Sequence, residues 1–553
     1  MTAAHELIER GFDVTVYEAR SLPGGKARSV SFPHSGVGGR ADLPGEHGFR
    51  FFPNYYRHVT HTMGRIPSGK DGRSAHDHLV ETTQVRLINR QADLFWPVRF
   101  PRSCTEFRAI ADFRRQLASV IKEPENAVFK NRVWQILTSC RERRADEYER
   151  IGWWHFVEAD GKSPAYQKLM ANGLSRSLVA AKAEVCSTKT LGNSKVQTLL
   201  ATIIPGKSSD RVLDGPTNVV WIDPWLEHLR TLGVTYKTDR RCVAIRVAGR
   251  RIEGVQIENV KTGETFDDNA DYYIAAVPVE VMARQSMLTN DMIRIDPRLE
   301  GIRTLAAKHT QWMNGIQFYL TERVKIAHGH AIYLDSPWAL TSISQAQFWR
   351  DIDLSRYADG KVRDILSVDI SDWTFPGTIR NRPAKQCTPQ EVKEEVWQQL
   401  KDGLNARGKV LQDQHLHSWL LDPDLHSACP PNYLALPIAD LGAQGLFNES
   451  PLLVNEIHTW DLRPEAHTDI HNFFLAADYV RTNTDLATME GANEAARRAV
   501  NCILDAAGSK KRPCRIWPVY GNPLFWPWRW RDGRRYAKGQ PWQGRFPRLG
   551  GWL

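Results

Sequence analysis

The chain has 553 residues, of which 42% are apolar and 25% are charged, and its formal net charge is +10. This length exceeds the ~250–300 residues that one hydrophobic core usually supports, so two intertwined domains are expected. No apolar run approaches the ~20 residues that a membrane-spanning helix needs, and eight cysteines without CxxC spacing predict free thiols in a reducing compartment.

The N-terminal residues predict a helix, a turn and a short strand. The helix covers about the first ten residues, Gly11 makes the turn, and the strand from Val14 to Tyr17 ends at Glu18. This order is the second half of a β-α-β dinucleotide-binding unit, in which the acid after the second strand accepts hydrogen bonds from the ribose hydroxyls. The preceding strand and glycine-rich turn are absent from the sequence. We expect an in-frame start further upstream; a deliberately shortened chain and a gene that has lost its phosphate loop are the alternatives.

Three further segments combine glycines with charged residues. After Gly24 and Gly25, which let the backbone approach a ligand closely, come basic residues that can face phosphate. The loop GEHGFRFFPNYYR, residues 45–57, is a second glycine loop with an aromatic cluster. Near the C-terminus, FLAADYVRTNTDLATMEG leads into a predicted helix over 492–504. This ordered set resembles the flavin amine oxidase and phytoene desaturase superfamily, and the resemblance covers nearly the whole chain.

The resemblance implies FAD as the cofactor and assigns residues to its nucleotide half. The acid that holds the ribose corresponds to Glu18. The glycine and basic residues along the pyrophosphate correspond to Gly24, Gly25 and Lys26. A strand backbone that pairs with the adenine edge corresponds to Val243.

The flavin half of the cofactor is assigned in the same way. The second glycine loop, which touches the flavin ring, corresponds to Gly45 and Gly48. The acid near the ribityl and pyrophosphate oxygens corresponds to Asp478, where Ala477 replaces the family's glycine. A helix N-terminus at the flavin pyrimidine edge would stabilise the anionic reduced flavin. Its residues here are Met489, Glu490, Gly491 and Ala492.

The expected fold class is α/β, with an N-terminally truncated Rossmann-like FAD-binding domain interleaved with an α+β substrate domain. In the cap, helices are expected from Thr105 and over 174–181, and Trp153 and Trp154 are interpreted as core residues. The expected segments are an FAD-binding part (1–57), a helical substrate cap (58–205), a second FAD-binding part (206–285), substrate-domain strands and helices (286–450), a C-terminal FAD-binding part (451–507) and a tail (508–553).

The predicted activity is removal of a hydride from an apolar substrate, because both substrate segments are rich in aromatic and aliphatic residues. An isoprenoid or carotenoid precursor is favoured. Amine oxidation is the alternative and calls for two facing aromatic side chains, while a truncated non-catalytic binding protein is the alternative of another class. A flavin performs the redox chemistry itself, so no catalytic side chain is identified. No GxSxG, HExxH or GxxxxGK[ST] occurs, and no histidine group has metal-site spacing.

The tail, residues 508–553, has eleven Lys or Arg and one acid, Asp532, so its balance of +10 equals that of the whole chain. The remainder is near neutral, which argues against nucleic-acid binding. Six of the nineteen tryptophans lie in this tail, and aromatic rings mixed with cations suit a bilayer interface. We expect a cytoplasmic protein with peripheral membrane contact through the tail. The alternative is a Pro-rich extension that packs on its own domain or is disordered; the oligomeric state is left open.

Overall fold

The computed structural model describes residues 1–46, 48, 50–69, 71–90, 93–173, 175, 180–206, 208–427, 445–519 and 522–547. The helix expected over 174–181 falls mostly outside these residues. Within the described ranges, no helix has the length and apolar character needed to cross a bilayer.

Two small parallel sheets form the centre of the nucleotide-binding part. In the first, Thr15–Tyr17 pairs with Thr235–Lys237, and in the second, Tyr273–Ala275 pairs with Phe473–Leu475. The expected N-terminal helix and strand are therefore present, at Thr2–Ile8 and Thr15–Tyr17. The helix packs against the long helix Met489–Ala506. A three-stranded antiparallel sheet completes this part, with strands at Arg240–Ala248, Arg251–Asn259 and Thr265–Asp268.

A seven-stranded mixed sheet is the largest sheet among the described residues. Its strands in spatial order are Leu416–Leu421, Asn314–Leu320, Asp364–Ile370, Thr341–Ser344, Ala331–Tyr333, Gln84–Ile88 and Leu94–Pro97. Neighbours are antiparallel except Ala331–Tyr333 and Gln84–Ile88, which are parallel. The helix Pro389–Leu404 packs its apolar side on this sheet and closes one core. Two strands come from the segment 58–205, which was expected to be helical.

The described residues between 104 and 203 form a helical cap. Its helices are Cys104–Val120, Glu123–Thr138, Arg141–Asp146, Trp153–Phe156, Pro164–Tyr166, Gln167–Asn172 and Thr188–Ile203. The first helix begins one residue before Thr105, because the Ser103 hydroxyl accepts the Glu106 N–H at 3.2 Å and supplies the cap. Trp153 is fully buried in the cap core, as expected, whereas Trp154 is half-buried.

Shorter elements connect these parts. Paired strands occur at Ser29–Ser31 with Pro44–Glu46, Leu79–Glu81 with Arg211–Leu213, Thr310–Gln311 with Leu452–Leu453, and Leu425–His426 with Phe447–Asn448. Short helices occur at Gly25–Ala27, His58–Met63, Ala75–His78, Asn218–Ile222, Asp223–Thr231, Val279–Met282, Asn290–Ile295, Pro297–Leu299, Glu300–Lys308, Leu354–Arg356, Ala384–Gln386, Asn405–Arg407, Asp413–His415, Thr459–Leu462 and Pro523–Phe525.

Residues 522–547 of the tail are folded against the cap, whereas residues 508–519 lie against the helices Met489–Ala506 and His58–Met63. The main element of the tail is the tail helix, Trp526–Tyr536. The buried Asp532 carboxylate accepts the Cys140 N–H at 2.8 Å and the Arg143 Nε–H at 3.0 Å. The rings of Phe525 and Trp528 pack edge-on against Trp134 of the cap. The tail residues that the structure describes are thus a packed extension of the domain.

Candidate cofactor and substrate cavity

A cavity of about 470 Å³ lies where the nucleotide-binding part, the cap and the seven-stranded sheet meet. Its walls come from segments that are far apart in the sequence: the loop after the first strand, the second glycine loop, the cap helix Thr188–Ile203, the sheet strand Gln84–Ile88 and the start of Met489–Ala506. Seven residues of the predicted cofactor site line it, namely Gly24, Gly25, Lys26, Gly48, Asp478, Met489 and Ala492.

Two glycine turns form one wall and are tied together by Arg50. Gly24 and Gly25 have φ of +111° and +56°, which side chains with a Cβ rarely adopt. The Arg50 guanidinium donates to the carbonyls of Lys26 and Arg28 at 3.1 and 3.2 Å. Burial lowers the pKa of this guanidinium. The side chain therefore fixes the first glycine turn against the second.

Gly48 is held close to Asp369. It has φ of +117°, and an added Cβ would lie 2.8 Å from Asp369 Oδ1. Any side chain at this position would meet both backbone strain and a steric clash. The absence of a side chain at position 48 thus preserves the shape of the cavity wall.

Lys26 pairs with a buried carboxylate at the same wall. Its Nζ lies 3.1 Å from Glu280 Oε1 and also donates to the Pro451 carbonyl. Burial raises the pKa of Glu280, while the ammonium of Lys26 opposes that shift. The Lys26 ammonium, which is predicted to face a pyrophosphate, therefore also forms an ion pair with Glu280.

The helix Met489–Ala506 begins at the cavity. Thr488 is its N-cap, and the Thr488 hydroxyl accepts the Gly491 N–H at 3.2 Å. Thr488, Met489 and Ala492 line the cavity. First-turn N–H groups have no intrahelical acceptor and concentrate partial positive charge. An anionic or electron-rich ligand edge is accordingly favoured at this wall.

The Glu490 side chain points away from the cavity lining. Its carboxylate is fully buried and accepts the N–H groups of Arg57, His58 and Val59 at 2.7 to 2.9 Å. It also bonds to His58 Nδ1 at 2.7 Å, while His58 Nε2 accepts the Trp517 N–H at 2.9 Å. Glu490 thus supplies the N-terminal acceptor for the helix His58–Met63.

Four other predicted residues also lie outside the cavity lining. The Glu18 carboxylate accepts the Arg20 N–H at 3.0 Å at the end of its strand. Gly45 is packed so tightly that an added Cβ would lie 2.8 Å from the Val30 carbonyl oxygen, and a Cβ on Gly491 would lie 2.5 Å from the Leu486 carbonyl oxygen. Val243 is a half-buried residue at a register irregularity of its strand. A contact of these residues with FAD stays a prediction.

The rest of the cavity lining, outside the predicted cofactor residues, is mostly apolar. Its aliphatic and aromatic residues come from the sheet strands, the cap and neighbouring loops. They are Phe51, Val85, Leu87, Trp96, Val98, Leu191, Met313, Ile332, Leu452, Leu453 and Leu486.

Polar groups enter this lining at two places that the sequence motifs do not mark. His330 Nδ1 bonds to Asp210 Oδ2 at 2.8 Å, and both side chains are buried. Lys195 of the cap helix donates to the Met170 carbonyl at 3.0 Å, with its ammonium 4.5 Å from the Trp153 ring centroid. Part of the Lys195 side chain lines the cavity. Burial of its ammonium lowers the pKa of Lys195 to about 7.

The comparisons with known proteins decide the family. Residues 1–504 match the family described as flavin containing amine oxidoreductase. The chain belongs to this family. It is an FAD-dependent oxidoreductase. No curated protein matches the chain.

Solved structures show the same fold for this flavin oxidoreductase. An oxidoreductase from Methanosarcina mazei has a TM-score of 0.57 at 10% identity, over 91% of this chain and 97% of that one. Wild-type putrescine oxidase bound to putrescine, and a double mutant of that enzyme, each have a TM-score of 0.52 at 10% identity, over 92% of this chain and 96% of theirs.

The residues of the first wall fit FAD. The side-chain-free positions at Gly24, Gly25 and Gly48 leave room for a close backbone approach, and the helix start at Met489 offers partial positive charge. We expect Lys26 and the first glycine turn to hold the pyrophosphate and Asp478 to hold the ribityl hydroxyls. When bound, FAD supplies the acceptor for a hydride.

Proposed function

We propose that this oxidoreductase acts on an apolar isoprenoid as a desaturase, in which a hydride leaves one carbon to the flavin and a proton leaves the neighbouring carbon as the C=C bond forms. A dehydroxylase, in which hydroxide leaves and a reduced flavin returns a hydride, is the related alternative. The observation that carries the proposal is the cavity lining outside the predicted cofactor residues, where aliphatic and aromatic side chains outnumber polar ones. Burying such a surface against hydrocarbon is favourable by about 25 cal/mol per Å². A long apolar chain would therefore gain binding energy along this lining while one of its C–H bonds is held near the glycine turns.

Amine oxidation is the second candidate, and the carboxylate of Asp210 favours it. Buried acids in a cavity can hold an ammonium group, and Asp210 lies there beside His330. Against it, the cavity's Phe51, Tyr55 and Tyr56 meet edge to face, with interplanar angles of 69° and 84°. No stacked aromatic pair occurs among the described lining residues.

Anaerobic reduction of the bound flavin separates the two candidates. The FAD-loaded protein would be mixed with long isoprenoids such as phytoene and squalene alcohols in detergent, and separately with putrescine and benzylamine. The proposal expects loss of the oxidised-flavin absorbance with an isoprenoid. Reduction by an amine alone would contradict it and support amine oxidation.

A pair of variants on the apolar lining sharpens this experiment. Val85 is half-buried and lines the cavity. Val85→Asp places a charge where the hydrocarbon would lie, and we expect the rate of flavin reduction by the isoprenoid to fall more than about tenfold, since a desolvated charge costs several kcal/mol. Val85→Ile keeps the apolar surface and serves as the matched control. Retained FAD absorbance in both variants shows that the fold is intact.

A further inference from the structure

The tail carries a cluster of exposed large apolar side chains. Leu524, Trp526, Trp528 and Trp530 are 67%, 63%, 44% and 54% exposed. They lie within seven consecutive residues, whereas the other exposed large apolar residues of the described chain are scattered singly or in pairs. Contiguous exposed apolar patches mark interaction surfaces. The family match ends at residue 504, so this feature belongs to the tail of this chain.

The outward face of the tail helix is built as one continuous strip. Trp526, Trp530 and Arg534 are spaced four residues apart and so lie on one side of the helix. The rings of Trp526 and Trp530 stack at 6.4 Å with an interplanar angle of 22°. The Arg534 guanidinium covers Trp530 at 5.1 Å from its centroid. Arg531 is exposed beside them.

The opposite face of the tail helix is locked to the cap. Asp532 is 3% exposed and paired with Arg143. The Tyr536 hydroxyl donates to Asp146 Oδ2 at 2.6 Å, and Arg529 Nε donates to the Leu137 carbonyl at 3.0 Å. These contacts fix the rotation of the helix. The tryptophan strip therefore cannot turn inward without breaking a buried ion pair.

The charge around this strip identifies its partner. The tail helix carries four arginines, Arg529, Arg531, Arg534 and Arg535, and a single acid, Asp532, whose charge is already balanced by Arg143. Tryptophan rings sit at the headgroup level of a bilayer, and Lys and Arg are attracted to anionic lipid. We infer that the outward face of the tail helix docks on the surface of an anionic lipid bilayer.

Docking in this orientation brings the cap to the membrane. The tail helix packs on the cap helix Glu123–Thr138, which in turn packs on Thr188–Ile203. The latter helix contributes Leu191 and Lys195 to the cavity wall. The lipid-facing strip and the cavity thus lie on the two sides of one helical layer. The inference does not depend on the substrate proposed above, because binding to lipid can be measured without turnover.

Co-sedimentation of the full chain with vesicles tests the inference. Vesicles of phosphatidylcholine alone and of phosphatidylcholine with 30% phosphatidylglycerol, roughly the anionic fraction that gives a strong surface potential, would be compared at low and high salt. We expect binding to the anionic vesicles that weakens with salt. Trp526→Ser with Trp530→Ser is expected to lower the partition coefficient at least about tenfold. Arg531→Glu with Arg534→Glu is expected to lower it more than about 25-fold, at about fivefold per removed positive charge.

Matched variants elsewhere on the surface control for general changes. Phe375→Ser with Ile379→Ser removes similarly exposed apolar residues, which are 52% and 49% exposed. Arg294→Glu with Arg356→Glu reverses two exposed cations. Both controls should bind vesicles as the unaltered chain does. Absence of vesicle binding, or equal loss in the controls, would overturn the inference. So would a dimer in light scattering that the tryptophan variant converts to a monomer, because a second copy would then cover the strip.

Discussion

Replacing Glu490 with Gln tests whether this carboxylate serves a helix N-terminus or the flavin. In the structure the carboxylate accepts four hydrogen bonds, three from the backbone of residues 57–59 and one from His58. Gln retains one acceptor oxygen and turns an NH₂ group towards buried donors. Hydrogen bonds to a charged group contribute about 1.5–3 kcal/mol each, and breaking a buried pair costs about 3–5 kcal/mol. We expect Glu490→Gln to lower stability by about 3 kcal/mol.

Thermal release of FAD, followed by its fluorescence, measures this effect. A loss of about 3 kcal/mol should lower Tm by about 3 °C in a chain of this size. The absorption spectrum and reduction potential of the bound flavin should stay unchanged, because the carboxylate is absent from the cavity lining. Glu391→Gln, in the capping box of Pro389–Leu404, is a control expected to cost about 1 kcal/mol. An unchanged Tm together with a shifted flavin potential would refute the reasoning.

Three other variants probe the cavity and the tail. Gly48→Ala should weaken FAD binding about tenfold in a titration, because the positive φ and the 2.8 Å approach to Asp369 together cost more than about 1.4 kcal/mol; unchanged affinity would contradict this. Burial lowers the pKa of Lys195 to about 7, whereas the pKa of a lysine in the unfolded chain is about 10. Between these two pH values the unfolded chain binds more protons at this site than the folded chain does. Folding stability therefore rises with pH across that window and falls on acidification towards pH 7. Lys195→Met should flatten that rise when the free energy of unfolding is measured with urea at several pH values. A variant whose stability rises with pH as steeply as that of the unaltered chain would contradict this. Asp532→Asn should speed proteolytic cleavage of the tail by leaving the Arg143 charge without its carboxylate; equal cleavage rates would show that the pair does not hold the helix.

Local elements were predictable from the sequence where periodicity and glycine chemistry coincide. The helix and strand at the N-terminus are observed at Thr2–Ile8 and Thr15–Tyr17, and the expected helix over 492–504 is part of Met489–Ala506. The glycines at 24 and 25 adopt positive φ, as close backbone approach requires. Each of these features depends on a few neighbouring residues.

Features that depend on distant partners were not predictable. The contact between Glu490 and the backbone of residues 57–59 spans more than 430 positions, and nothing near Glu490 in the sequence marks it. Lys195 lies in a cap helix without a motif. Nothing in the neighbouring sequence therefore predicts its contact with Trp153 or its place in the cavity lining. The strands Gln84–Ile88 and Leu94–Pro97 are short and half-buried and extend a sheet whose other strands begin beyond residue 310. Tertiary pairing, rather than propensity, decides these elements.

In the tail, too, the composition is evident from the sequence, whereas the contacts of its residues are not. Its excess of Lys, Arg and Trp is evident in the sequence, but composition does not distinguish the tryptophans that face the cap from those that face outward. The buried Asp532 decides the orientation of the tail helix through its bond to Arg143. A single acid among ten described cations therefore sets which aromatic side chains remain exposed.

We expect the glycine turns and the start of the helix Met489–Ala506 to hold FAD in the described cavity. The most direct measurement is an absorbance titration of the purified chain with FAD, beside the variant Ala492→Trp, which fills the wall at the helix start. Oxidised-flavin bands should remain with the unaltered chain after gel filtration and be lost from the variant. Flavin retained equally by both, or by neither, would contradict this expectation.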